Sequence, residues 1–280
     1  MIQVLVTGAG GQLGQALQHV AKGYIGLSIY FADSAEGNIA SFSTLEKLFE
    51  KVKPQYCINA AAYTAVDKAE TEQEAARLVN VTGAANVAKA CLAYHARLIH
   101  ISTDFVFNGK KKSPYTEQDE PDPINVYGAT KLLGERQVAA ILPAHYIIRT
   151  SWVYSEYGNN FMKTMLRLAN SGNTLNVVND QYGTPTNALS LAQALLDIII
   201  YEHSHNSAQF GTYHYSNEGE VTWYGFAQEI FKKHKLSPEV NPVTSAYFST
   251  PATRPAYSVM DKSKIKETFK LNIPQWQTLL

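Results

Sequence analysis

Tyr127-Gly128-Ala129-Thr130-Lys131 sets a phenol and an ammonium four residues apart, which on a helix puts both on one face. Such a pair can move a proton. An unperturbed tyrosine titrates near pKa ~10 and a neighbouring ammonium favours the phenolate, so Lys131 is expected to pull Tyr127 toward neutral pH. The phenol can then donate its proton to a carbonyl oxygen as a hydride reaches the carbonyl carbon. Tyr-x-x-x-Lys by itself reads more readily as an amphipathic helix with an incidental pair. Its company singles it out: Ser102-Thr103-Asp104 closes a strand-like run at the sheet edge where ligands bind, and a hydroxyl there can hydrogen-bond the same carbonyl.

The N-terminus offers a place for a hydride carrier. Ile2 to Gly14, I-Q-V-L-V-T-G-A-G-G-Q-L-G, is an apolar run that breaks into glycine and then opens an amphipathic helix over Gln12 to Ala21. Gly8 permits a sharp turn, Gly10 and Gly11 let a pyrophosphate approach the backbone, and Gly14 lets helix and strand pack closely. The amides and positive dipole end of the helix, opened by Gln12 and Leu13, would face that anion. Asp33 follows Gly14 by 19 residues, close to the ~20 at which an acid reads the ribose. In Asn59-Ala60-Ala61-Ala62 little side chain stands where a flat cofactor could lie, or, equally, where a helix could pack closely.

The elements needed to hold these groups are legible in the patterning. Leu27 to Ala32, Tyr56 to Ala62, Arg97 to Thr103 and His145 to Thr150 read as strands, and Phe42 to Val52, Ala69 to His95 and Val126 to Leu142 as helices. Their alternation predicts an α/β fold, a Rossmann-like doubly wound parallel sheet with right-handed crossovers. Beyond Ser151 the texture changes to aromatic and Asn-rich loops between helices at Met162 to Ala169, Leu189 to Tyr201 and Trp223 to His234, the profile of a smaller, irregular C-terminal substrate lobe. The expected division is 1–152 for the dinucleotide-binding domain, to which helix 187–202 and strand 211–216 return, with 153–186 and 217–280 forming the substrate lobe. Asn108 to Pro123 reads as a surface excursion whose Lys110 to Lys112 either grips a diphosphate or is simply solvated. Trp276 to Leu280 reads as lying inside a helix, so a few terminal residues are expected to be missing there.

Composition narrows the partners. At 280 residues with 45% hydrophobic content the chain can bury one large or two modest cores. Lys plus Arg and Asp plus Glu balance at 24 each, so no net field draws it to nucleic acid or an anionic membrane. Cys57 and Cys91 match neither a disulfide framework nor a metal cluster, and no apolar run approaches the ~18 residues of a membrane span. A reduced, cytoplasmic setting and a small-molecule partner fit best.

The motifs together resemble those of the extended short-chain dehydrogenase/reductase superfamily, and within it the branch that reduces dTDP-4-dehydro-L-rhamnose (dTDP-6-deoxy-L-lyxo-4-hexulose) to dTDP-L-rhamnose. The likeness rests on Asn59 to Glu70 (NAAAYTAVDKAE), Ser102 to Phe107 (STDFVF), Asn125 to Lys131 (NVYGATK), Arg149 to Tyr154 (RTSWVY), Asn159-Asn160-Phe161, Asn179 to Thr186 (NDQYGTPT) and Arg254-Pro255, which cover essentially the whole chain. It implies that Tyr127 is the general acid, that Lys131 holds the nicotinamide ribose and that Thr103 orients the 4-keto group. Asp104, Phe105 and Trp152 would line the sugar site, and Gly8, Gly11, Gln12, Leu13, Ala60, Ala61, Ala62 and Tyr63 the cofactor site. Two positions depart from the pattern. Phe105 stands where many members carry Tyr, and Asn38-Ile39 where relatives often carry Asp before the apolar residue that covers the adenine.

Asp33 suits a free ribose 2′-OH, yet the branch accepts both cofactors, so NADPH or NADH is expected without large bias. Arg254, the best-placed cation of the second lobe, is expected to meet the substrate's diphosphate bidentately. Some relatives dimerise around a magnesium ion held by glutamates, but Gln12 to Ala21 has no acid and Asn187 to Tyr201 only Asp197. No metal site and a monomer are therefore expected, with an apolar homodimer left open. The competing activities are a sugar-nucleotide epimerase or dehydratase with retained NAD, for which Phe105 replaces the Glu a dehydratase typically carries, and a non-catalytic regulatory subunit of the methionine adenosyltransferase type.

Overall fold

Runs buried on both faces become the strands of one parallel sheet. The computed structural model describes residues 1–205 and 207–280. In it β1 (Ile2–Thr7), β2 (Leu27–Ala32), β3 (Tyr56–Asn59), β4 (Arg97–Thr103), β5 (His145–Thr150) and β6 (Gly211–His214) stand in the order β6-β5-β4-β3-β1-β2, each neighbouring pair parallel. The chain leaves β1 toward β2 and then returns to β3 on the other side. That reversal opens a crevice at the carboxyl ends of β1 and β3, where α/β sheets bind ligands. Thr7 lies opposite Asn59 there, and Thr103 opposite Thr150 further along the same edge.

Helices cover both faces. On one, α1 (Gln12–Val20) shares an apolar core with the long helix Ala188–His205. On the other, α2 (Phe42–Val52), α3 (Ala84–Ala93) and α4 (Val126–Ile141) pack against the sheet. Ser41 starts α2 by accepting a bond from the Thr44 amide, and Asn125 does the same for α4 from Gly128. The smaller lobe has its own core, in which α5 (Phe161–Ala169) and Trp223–Lys233 close over Tyr154, Val177 and Trp276. No helix among the described residues is long and apolar enough to cross a membrane.

Two expectations are corrected and a third is refined. β3 stops at Asn59, so Ala60 to Ala62 are loop rather than strand. Ala69 to His95 is largely helical, as expected, but its first turn is set off by a break at Glu70 to Glu72 and the helix widens over Leu78–Gly83 before α3. The break frees the Glu70 carboxylate to accept the Val126 amide at 2.9 Å and so anchors the start of α4. Trp276–Leu279 is a short 3-10 turn with the Trp276 ring buried edge-on to Phe226, 5.3 Å between centroids.

Gly14 sets how closely α1 can approach β1. A Cβ there would lie 2.3 Å from the Gly8 carbonyl oxygen and 2.6 Å from Ala9 Cα, backbone atoms with no side-chain freedom to yield. Gly14→Ala should therefore cost about 1–3 kcal/mol through forced overpacking, read as a lower urea midpoint. Unchanged stability would mean that α1 lifts away freely.

Candidate active site

The helix that carries Tyr127 and Lys131 is pinned at its start. Asn125, its cap, accepts from the Gly128 amide at 2.7 Å and donates across the cleft to the Thr253 carbonyl at 2.8 Å. Gly128 touches the loop after β4: a Cβ would sit 2.1 Å from the Phe105 carbonyl oxygen. Only a residue without one brings Tyr127 this near β4. The Phe105 and Tyr127 rings meet edge to face at 5.7 Å, so the phenol stands beside the loop that Thr103 opens. The Thr103 hydroxyl donates to the Asp104 carboxylate at 3.1 Å and accepts from the Phe105 amide at 3.1 Å.

Burial dominates the electrostatics. It pushes the Tyr127 phenol up to about 12, with the Thr103 hydroxyl opposing and the Asp104 charge reinforcing. The expected pull of Lys131 toward neutral pH is thus overturned. The Lys131 ammonium, 2% exposed, donates to the Ile101 carbonyl at 2.6 Å; burial lowers it to about 8 and the Glu135 charge partly restores it. Burial likewise raises Asp104 to about 6, with the Ser258 and Thr103 hydroxyls opposing the rise. Beneath them Arg149 holds Glu135 through three contacts of 3.0, 3.2 and 2.7 Å, Ser102 donates to the same carboxylate, and the guanidinium lies over the Phe107 ring at 5.2 Å. This charged pair was not legible as a functional feature, because Glu135 reads as one polar residue of a helix.

A cavity of about 730 Å³ joins the two halves of the site. Gly10, Gly11, Gln12, Leu13, Ala60 and Ala62 form one end, and Thr103, Asp104, Phe105, Tyr127, Lys131, Trp152 and Arg254 the other. The donor set fits a dinucleotide. α1 begins at Gly11 with no side-chain cap and no acid in its first turn, leaving amides for a pyrophosphate. Nothing stands within 4 Å of where a Gly10 Cβ would be. Gln12 donates to the Val153 carbonyl at 3.1 Å and accepts from Asn160 at 2.6 Å, tying the glycine-rich loop to the cap of α5. Asn160 stood in a recognisable motif, but its spacing from Gln12 carried no signal.

The remaining expected residues lie outside that wall. Gly8, with φ +76°, and Gly14 support the loop from behind. The Ala61 amide bonds the Asn59 side chain, and Tyr63 bonds Asn80 through its amide and Glu72 through its hydroxyl. Asp33 ends next to β2 as expected, one carboxylate oxygen accepting from the Ala35 and Glu36 amides at 2.8 and 3.1 Å. Asn38 caps its own turn at Ala40, and Ile39 is 4% exposed against Gly83, so little of its side chain faces outward. Lys111 bonds Asp119 and Pro114 within its own loop. Within the wall, Trp152 adopts φ +47° and stacks on Trp223 at 3.5 Å and 8°. Beyond them, a second cavity of about 690 Å³ shares Phe161, Trp223 and Arg254 with the first and is lined by Met165, Val177 and Phe248.

Known proteins share this architecture. A family profile described as "RmlD substrate binding domain" matches residues 2–280. The chain is 40% identical over 286 residues, all of it and 97% of the relative, to dTDP-4-dehydrorhamnose reductase of Aggregatibacter actinomycetemcomitans. It is 40% identical over 285 residues to the Escherichia coli protein of the same name, covering 99% of this chain and 95% of that one. The crystal structure of dTDP-4-dehydrorhamnose reductase from Bacillus anthracis in complex with NADP superposes with a TM-score of 0.93 at 38% identity, over 99% of this chain and 97% of that chain.

Because the folded Asp104 binds its proton more tightly than a free carboxyl does, stability should fall as pH rises from about 4 to about 6. A shift from 3.8 to about 6 corresponds to on the order of 3 kcal/mol. Asp104→Asn should flatten that part of the urea-stability profile; an unchanged slope would place the titration elsewhere.

Proposed function

The chain belongs to the family described as RmlD substrate binding domain, and from that membership we propose that it is an NADPH- or NADH-dependent reductase of dTDP-4-dehydro-L-rhamnose, forming dTDP-L-rhamnose. The observation that carries the reading is the meeting of Thr103, Tyr127 and Lys131 in the cavity that also holds the uncapped start of α1. Gly10, Gly11, Gln12, Leu13, Ala60 and Ala62 would hold the dinucleotide, with Asp33 toward its ribose. The dihydronicotinamide supplies the hydride for the C4 carbon when bound.

The chain's own residues do the rest. Tyr127 holds a proton at its phenol oxygen: a group pushed up to about 12 is in its acid form at neutral pH, the form that a reduction consumes. Thr103, whose hydroxyl donates to Asp104 and lines the same cavity as Tyr127, orients the 4-keto oxygen toward the phenol. Lys131, whose ammonium is held on the Ile101 carbonyl in the wall of the same cavity, would hydrogen-bond the ribose and favour the phenolate left when Tyr127 gives up its proton. Trp152 and Phe105 enclose the sugar, and Arg254 meets the diphosphate, with the second cavity extending toward the nucleoside. An epimerase or dehydratase would return the hydride to its substrate, and for a dehydratase Phe105 offers no acid or base to carry the elimination. We place the reaction in the cytoplasm and the enzyme as a monomer whose rate and mass are unchanged by EDTA.

Single-turnover oxidation of added NADPH by the keto sugar tests the reading, with UDP and GDP analogues as comparison. Stoichiometric NADPH loss is expected; recycling without loss would favour the epimerase. Tyr127→Phe should lower kcat by ~10²- to 10⁴-fold while leaving NADPH binding nearly intact, and unchanged turnover would remove Tyr127 from the mechanism.

A further inference from the structure

Arg254 does not stand alone in the cleft. Its Nη1 donates to Asp67 Oδ1 at 3.1 Å and to the Ala252 carbonyl at 3.1 Å, and its Nη2 donates to Asp67 Oδ2 at 2.8 Å. Asp67 also accepts from the Ala252 amide at 3.3 Å, so one carboxylate fixes both the guanidinium and the loop that carries it. A guanidinium has five N–H donors in two forks. One fork and the inner edge are occupied here, whereas Nε–H and the outer Nη2–H, the other fork, have no protein acceptor among the described residues. Arg254 borders both cavities, at their junction.

We propose that Asp67 is the positioning residue of a diphosphate clamp: it holds Arg254 by one fork so that the other is presented, already oriented, to the diphosphate of a nucleotide ligand. This deepens the reading of the site as one for a sugar nucleotide and rests on it. Two effects of Asp67 oppose each other. Its negative charge repels the incoming diphosphate, an interaction that solvent and salt weaken because Asp67 is 41% exposed at its side chain. Its two hydrogen bonds remove the rotamer freedom that Arg254 would otherwise lose on binding. Under the proposal the second effect wins, which fixes the sign of the test.

Calorimetric binding of dTDP and of thymidine to the full chain, at physiological salt, separates the possibilities. Asp67→Asn should weaken dTDP roughly tenfold, within the range of coupling between polar neighbours, and leave thymidine unchanged. Asp67→Glu should recover part of the loss, and Asp67→Asn added to Arg254→Ala should cost nothing further. Tighter dTDP binding by Asp67→Asn would make the carboxylate a competitor of the diphosphate and overturn the proposal. Equal loss for both ligands would assign Asp67 to folding of the loop and overturn it as well. If the unaltered protein binds dTDP no better than thymidine, the sugar-nucleotide reading itself fails, a result distinct from either.

Discussion

The approach of α4 to the loop after β4 is the constraint on which the site depends. Tyr127 can reach Thr103 only because its neighbour Gly128 has no side chain to hold the helix off the Phe105 carbonyl. The same closeness has a second instance one and a half turns on, where Gly134 faces the Asn80 carbonyl. Asn80 in turn bonds the Tyr63 amide and the Thr130 hydroxyl, so the loop after β3 and the helix α4 are fastened to one side chain. Helix contact, loop placement and catalytic geometry are thus a single packing problem.

That packing buries charge, and the buried charges are arranged in depth. Lys131 satisfies its ammonium on a strand carbonyl, and Glu135, one turn further along α4, offsets part of its desolvation. Glu135 is itself neutralised by direct contact with Arg149 from β5 and accepts a further bond from the hydroxyl of Ser102 on β4. An unpaired ion at any of these positions would be costly. Together they let the floor of the site be dry without leaving a bare charge in it, while Asp104 beside the phenol remains the least well compensated member.

Most of the fold was legible because a parallel sheet buries both faces of its strands and so writes uninterrupted apolar runs into the sequence. The glycine-rich turn, Asp33 and Tyr127 with Lys131 were legible because their geometry is local. The partners that complete the site are not local. Asp67 lies 187 residues from Arg254, and Gln12 lies 148 from Asn160, so no periodicity or spacing connects them. The direction of the Tyr127 shift failed for a related reason: an i, i+4 spacing tells that two side chains are neighbours, but not that Lys131 turns to the Ile101 carbonyl or that enclosure outweighs its charge. The end of β3 at Asn59 and the break at Glu70 are likewise set by what those residues bond to across the molecule.

The stacked Trp152 and Trp223 carry an optical consequence. The chain has three tryptophans, and two of them lie face to face at 3.5 Å on the boundary between the two cavities, with the third buried in the smaller lobe. Indoles this close share their excited states, so the near-ultraviolet circular dichroism of the protein should be dominated by one coupled pair. The molecule carries its own chromophore at the cleft, and sliding one ring against the other alters its spectrum without any label.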